Sequence, residues 1–255
     1  MATKTVLKPL NRTFLWVTIY GVAMGVLEAA VVIYIRRLYF PNGFQFPLWV
    51  AETDIAIIEL WREMATIVML AAVGAIAGRN RGERFAYFVY AFGVWDLVYY
   101  AFLKLALGWP ASPLTWDILF LLPVPWVGPM LTPCILALTM IAFGITVVRF
   151  TSDGVEVDML HRERILLWLG AVVVILSFTL EWARFEGPTI LQNIATHRAL
   201  LYRVGGFVPV HFPWWIFVLG EGMIIAAFVQ FHMRLSARKR QRQRASAEVR
   251  RQVRR

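Results

Sequence analysis

FLWVTIYGVAMGVLEAAVVIYI, residues 14–35, decides the fold of this chain. It is an unbroken apolar run with one acidic residue, Glu28. A helix needs about 20 such residues to cross the hydrocarbon of a bilayer, so the run predicts a transmembrane helix. Lys4, Lys8 and Arg12 precede it, as they would a signal peptide. The run is longer than a signal core, and no small-x-small cleavage site follows, so it reads as an uncleaved first span.

The same pattern recurs. Apolar blocks predict spans at about 13–35, 54–78, 84–107, 130–149, 164–184 and 212–233. Hydrophobic residues make up 59% of the 255 and charged residues only 16%. Soluble domains are typically about a quarter charged, so the composition excludes an ordinary soluble enzyme. The blocks lack the alternation a transmembrane barrel requires. The expected fold class is all-α, a polytopic bundle of six helices.

Charge orients the bundle. Lys4, Lys8 and Arg12, then Arg79, Arg81 and Arg84, then Arg149, Arg162 and Arg164, all fall on one side of a six-span chain. Ten Lys or Arg residues follow from Arg234 to Arg255 on that side too. The positive-inside rule gives N-in and C-in. Residues 1–233 read as one bundle and 234–255 as a flexible basic tail, attracted to anionic lipid. The tail has no aromatic residues to stack on bases, so nucleic acid is not an expected partner. Net charge is +10, but outside the tail it is close to zero. Trp49, Trp109, Trp116, Trp126, Trp182, Trp214 and Trp215 fall near the outer boundary, suggesting an aromatic belt that also rims a mouth.

Between the third and fourth spans, residues 109–133 hold six of the twelve prolines around Ile118-Leu-Phe-Leu-Leu122. Ser112 before Pro113 resembles a helix start, so this segment predicts a short helix, lying in the interface, packed as a surface hairpin or re-entrant.

Six acids lie within the spans: Glu28, Glu59, Glu63, Asp96, Glu181 and Glu221. A carboxylate at a helix centre costs roughly 2.5–3.5 kcal/mol on insertion scales, so such groups face protein or water. Their spacing agrees. Gly21, Gly25 and Glu28 share a face, as do Glu59, Glu63 and Thr66, and Gly93, Asp96 and Tyr100. By depth the acids lie between the midplane and the outer surface, so they predict one outward-opening polar cavity. His197, Arg198, Arg203 and His211 belong to the last outer connection and could close over it.

The expected binding set is Glu28, Glu63, Asp96 and Glu221, with Arg62, Glu181 and Arg184 as partners; Asp96 and Glu221 are the candidates for acid or base chemistry. Glu59 with Arg62, and Glu181 with Arg184, also suit structural ion pairs. Tyr99 and Tyr100 read as packing residues. Zinc, serine-elbow, phosphate-loop, haem and di-iron motifs are absent. The single Cys134 reads as a core residue. No cofactor is expected, apart from a divalent cation on carboxylate oxygens. Three functions remain open: binding or transport of a cation, proton or cationic amphiphile; a membrane-embedded enzyme acting on a lipid or isoprenoid; or an accessory subunit of a membrane complex.

Overall fold

The computed structural model describes residues 9–40, 43–44, 46, 53–190 and 207–253. Its elements are α1 (Pro9–Tyr39), α2 (Thr53–Ala77), α3 (Arg81–Leu107), β1 (Trp116–Phe120), β2 (Trp126–Pro129), α4 (Leu131–Ser152), α5 (His161–Ile190) and α6 (Trp214–Val253). All six helices are long and apolar enough to cross a membrane, as a multi-pass membrane protein requires.

Close approach between helices sets the architecture. Gly25 meets α3 so tightly that a β-carbon there would lie 2.7 Å from the Trp95 carbonyl oxygen. Gly21 meets Ala91 and Val94 one turn earlier, so α1 and α3 run parallel. On the far face of α3, Gly93 packs on Ala137 and Gly144 on Ala86, which makes α4 antiparallel. Without a hydrophobic force between helices in lipid, such small-residue contacts supply much of the association through dispersion and close packing. Phe143 stacks on Phe231, and Phe150 meets His232, joining α4 to α6. The α5–α6 pair closes on Gly170 and Gly220. These registers put the start of α1 and the end of α6 at one end of the bundle, here the termini end. The hairpin caps the other.

That hairpin replaces the expected short helix. β1 and β2 pair antiparallel, with a bulge between Ile118 and Phe120. Pro123 and Pro125 cannot donate helical hydrogen bonds and disfavour α geometry in the residues before them. Pro129 ends the second strand, where a missing N–H is tolerated. The Ser112-Pro113 pair closes a turn instead: the Leu114 N–H donates to Ser112 Oγ at 3.3 Å, and the Ser112 N–H to Thr115 Oγ1 at 2.9 Å. The hairpin packs inward, with Val127 1% and Asp117 2% exposed.

Two further expectations change. The segment from Arg234, read as a flexible tail, continues as helix to Val253. Three of the outer tryptophans turn inward instead of rimming a mouth. Trp182 is buried beneath the hairpin, Trp126 stacks on Phe178, and Trp116 packs against Phe212. They fasten the hairpin to the bundle, although Trp215 is exposed. Trp49 lies outside the described residues.

Candidate functional site: a carboxylate-lined cavity beneath the hairpin

α1, α2, α3 and β1 line a cavity of about 70 Å³, walled by Glu28, Arg62, Glu63, Asp96 and Tyr100 among others. A water needs about 10–15 Å³ of space measured this way, so the cavity holds a few waters or one small polar group. Each wall has a local cause. The Gly21–Gly25 face brings α1 against α3 and so carries Glu28 inward. Glu59, Arg62, Glu63 and Thr66 recur every three or four residues, which puts them on one side of α2.

Arg62 is the hub. Its Nε donates to Glu59 Oε2 at 2.7 Å, and its Nη1 donates to Glu28 Oε1. Thr66 Oγ1 lies 3.4 Å from the other Glu28 oxygen. Glu63 makes no ion pair with a guanidinium among the described residues; its oxygens accept the Leu121 N–H from the hairpin at 2.9 and 3.2 Å. Asp96 carries one buried carboxylate oxygen without a hydrogen-bond partner.

A second ion pair ties the hairpin down. Arg36 Nη2 donates to Asp117 Oδ1 at 3.2 Å, and the Tyr100 hydroxyl donates to Asp117 Oδ2 at 3.1 Å. The Arg36 guanidinium also lies over the Trp109 ring, 3.7 Å from its centroid. Burial pushes the Asp117 carboxyl up to about 6, against the downward pull of Arg36 and Tyr100. Neither Arg36 nor Asp117 was among the residues expected at the site, because 81 residues separate them and each sits outside the centre of a span. Tyr100, expected as packing, is a donor to this pair.

Among the described residues, Arg36 and Arg62 pair with Asp117, Glu28 and Glu59, and Glu63 and Asp96 lie beside them without an ion pair. Two guanidiniums cannot neutralise five carboxylates.

The remaining expected residues lie elsewhere. Glu221 accepts a 2.6 Å hydrogen bond from Thr139 on α4, away from the cavity lining. Arg184 pairs with Glu181 at 3.3 Å on α5. Depth alone placed these acids with the others; they occupy a different azimuth around the bundle. His211 is exposed, and His197, Arg198 and Arg203 lie outside the described residues. Among the described residues no three His, Cys, Asp or Glu side chains are grouped to hold a metal ion.

The termini end is built differently. Glu83 accepts from Arg79 Nη2 at 2.6 Å and from the Asn80-capped turn's Arg79 N–H at 2.9 Å. Glu163 receives Arg234 at 2.7 and 2.9 Å and the Leu160 N–H at 2.9 Å. Asp158 pairs with Arg238, and Asp153 with Lys239 at 2.7 Å.

Comparison with known proteins adds no analogy: no family model, curated protein or solved structure matches the chain.

Proposed function

We propose that this is a binding or transport protein for a small cation or proton, which uses the carboxylates beneath the hairpin. The observation that carries the reading is the excess of carboxylates over guanidiniums around one cavity, with Glu63 and Asp96 in no ion pair among the described residues. A desolvated carboxylate holds a proton or a cation more strongly than one in water, because burial disfavours the bare anion. The shared Arg62 holds Glu28 and Glu59 in place, while Glu63 and Asp96 exchange their guest.

The basic segments support an N-in, C-in topology, with the cavity and hairpin on the outer side of a bacterial cytoplasmic membrane. In that frame the helical extension of α6 lies at the inner surface, where its arginines attract anionic lipid. The accessory-subunit reading expects every acid paired and no void, which fits the termini end better than the hairpin end. An enzyme would use the same two carboxyls as acid and base on a lipid or isoprenoid.

The test uses the full chain in nanodiscs, with methylammonium binding followed by calorimetry. Wild type should bind it with release of protons, and Asp96→Asn or Glu63→Gln should weaken binding at least tenfold while the protein still inserts. Binding unchanged in both variants overturns the reading. Methylammonium-driven proton movement across proteoliposomes then separates transport from binding alone.

A further inference from the structure

The polar cavity adjoins an apolar one. A second space of about 180 Å³ lies between α3, α4, α5 and the hairpin, and the two share Trp95, Asp96, Leu119 and Phe120 as a partition. A third space, also about 180 Å³, is lined only by apolar surface and shares Met140 with the second. The order along the helices gives the direction. On α3 the lining passes from Asp96 and Phe92 to Val89 and Phe85; on α4 it passes from Pro133 and Leu136 through Met140 to Phe143. Both paths run from the hairpin end towards the termini end. Asp96 to Phe85 is a separation of 96 − 85 = 11 residues, roughly 16 Å of helix rise. That is about half the ~30 Å thickness of a bilayer's hydrocarbon. α4 and α5 barely touch along this path; α5 packs instead on α6 and β2.

Polar atoms mark the head of the trough. Trp95 is 6% exposed, lines both of the first two cavities, and its indole N–H has no hydrogen-bond partner. The orphan oxygen of Asp96 lies at the same partition, and the Trp126 N–H, also unpartnered, lines the apolar side. Buried donors and acceptors left unmet are costly, so this set fits a guest that both donates and accepts.

We propose that the partition and the two apolar cavities form one site for a single-chain amino alcohol. Its ammonium group sits at Asp96, its hydroxyl accepts from Trp95, and its chain follows the α4 trough past Met140. This rests on the cation-binding reading and names its guest. The orientation suits an amphiphile of the hairpin-side leaflet, with its head under the hairpin and its tail pointing to the membrane centre.

The test measures equilibrium binding to the full chain in nanodiscs, with empty nanodiscs subtracted, for ethanolamine, N-dodecylethanolamine, dodecylamine and dodecanoate. N-dodecylethanolamine should bind at least tenfold more tightly than ethanolamine, and dodecanoate should not bind. Met140→Trp, which fills the junction, should bring the long amine down to the level of ethanolamine; Met140→Phe serves if the larger ring prevents folding. Trp95→Phe should abolish the preference for N-dodecylethanolamine over dodecylamine. No gain from the chain, or a gain unchanged by blocking Met140, overturns the proposal. If methylammonium still binds through Asp96 in that case, the cation-binding reading survives; if no ammonium compound binds, both fall.

Discussion

The two ends of the bundle treat buried acid in opposite ways. At the termini end, Glu83 and Glu163 each meet a guanidinium and a backbone N–H, and both are 1% exposed. At the hairpin end, Arg62 serves Glu28 and Glu59 together, Glu63 relies on one backbone N–H, and Asp96 keeps an oxygen without a partner. The first arrangement satisfies each charge; the second leaves carboxylates without an ion pair, the feature on which the proposed binding rests. The difference teaches that intramembrane acids are better ranked by what they lack than by their number.

The largest effects should come from removing hubs. Arg62→Ala leaves Glu28 and Glu59 without a cation, and Arg234→Ala does the same to Glu163. Each should destabilise the protein by about 3–5 kcal/mol, because one partner of a buried pair is left uncompensated. Thermal or denaturant unfolding in one mild detergent checks both. Equal losses sharpen the comparison, since hubs matter at both ends; a negligible loss for Arg62→Ala would break the picture of a shared cation.

Next in size is the helix contact that carries Glu28 inward. Gly25→Val places branched carbons against the Trp95 carbonyl and Val98. Overpacking of this kind costs about 1–3 kcal/mol, and it should abolish methylammonium binding along with the cavity. Gly222→Ala is the matched control, for nothing lies within 4 Å of a β-carbon there. It should be neutral or slightly stabilising in the same unfolding assay.

How much of this was legible in the sequence follows from which signals are local. The six helices were, because each is a run long enough to span and needs no partner to be recognised. The inward faces of α1 and α2 were too, since Gly21, Gly25 and Glu28, or Glu59, Glu63 and Thr66, repeat at helical spacing. A hairpin packed on the bundle was among the expectations for residues 109–133, but its two strands were not. Its apolar centre has no clear period, and Ser112-Pro113 serves a turn as readily as a helix start. Depth put Glu221 beside Asp96, but depth says nothing about rotation around the bundle, and Thr139 holds Glu221 elsewhere. The Arg36–Asp117 pair depends on how the hairpin folds back, which no local pattern encodes.

The smallest effect belongs to the termini end. Arg238 beside Asp158 holds that carboxyl below its ordinary value of 3.8. A depressed value means the pair stabilises the fold above about pH 3.8 and loses that contribution as pH falls further, through the folded-state value. The groups are partly exposed, so Asp158→Asn should cost less than about 1 kcal/mol, and less again in high salt. Unfolding measured between pH 3 and 7 at two salt concentrations checks both the sign and the size. A large, salt-independent loss would mean that Asp158 and Arg238 do not form a surface-type pair.

Asp96→Asn against Glu163→Gln is the most direct measurement, with unfolding and methylammonium binding read on the same samples. Asp96→Asn should unfold no more easily than wild type yet lose at least tenfold in binding, while Glu163→Gln should lose about 1–3 kcal/mol of stability and bind normally. An Asp96→Asn protein that is destabilised but binds as well as wild type would contradict the account.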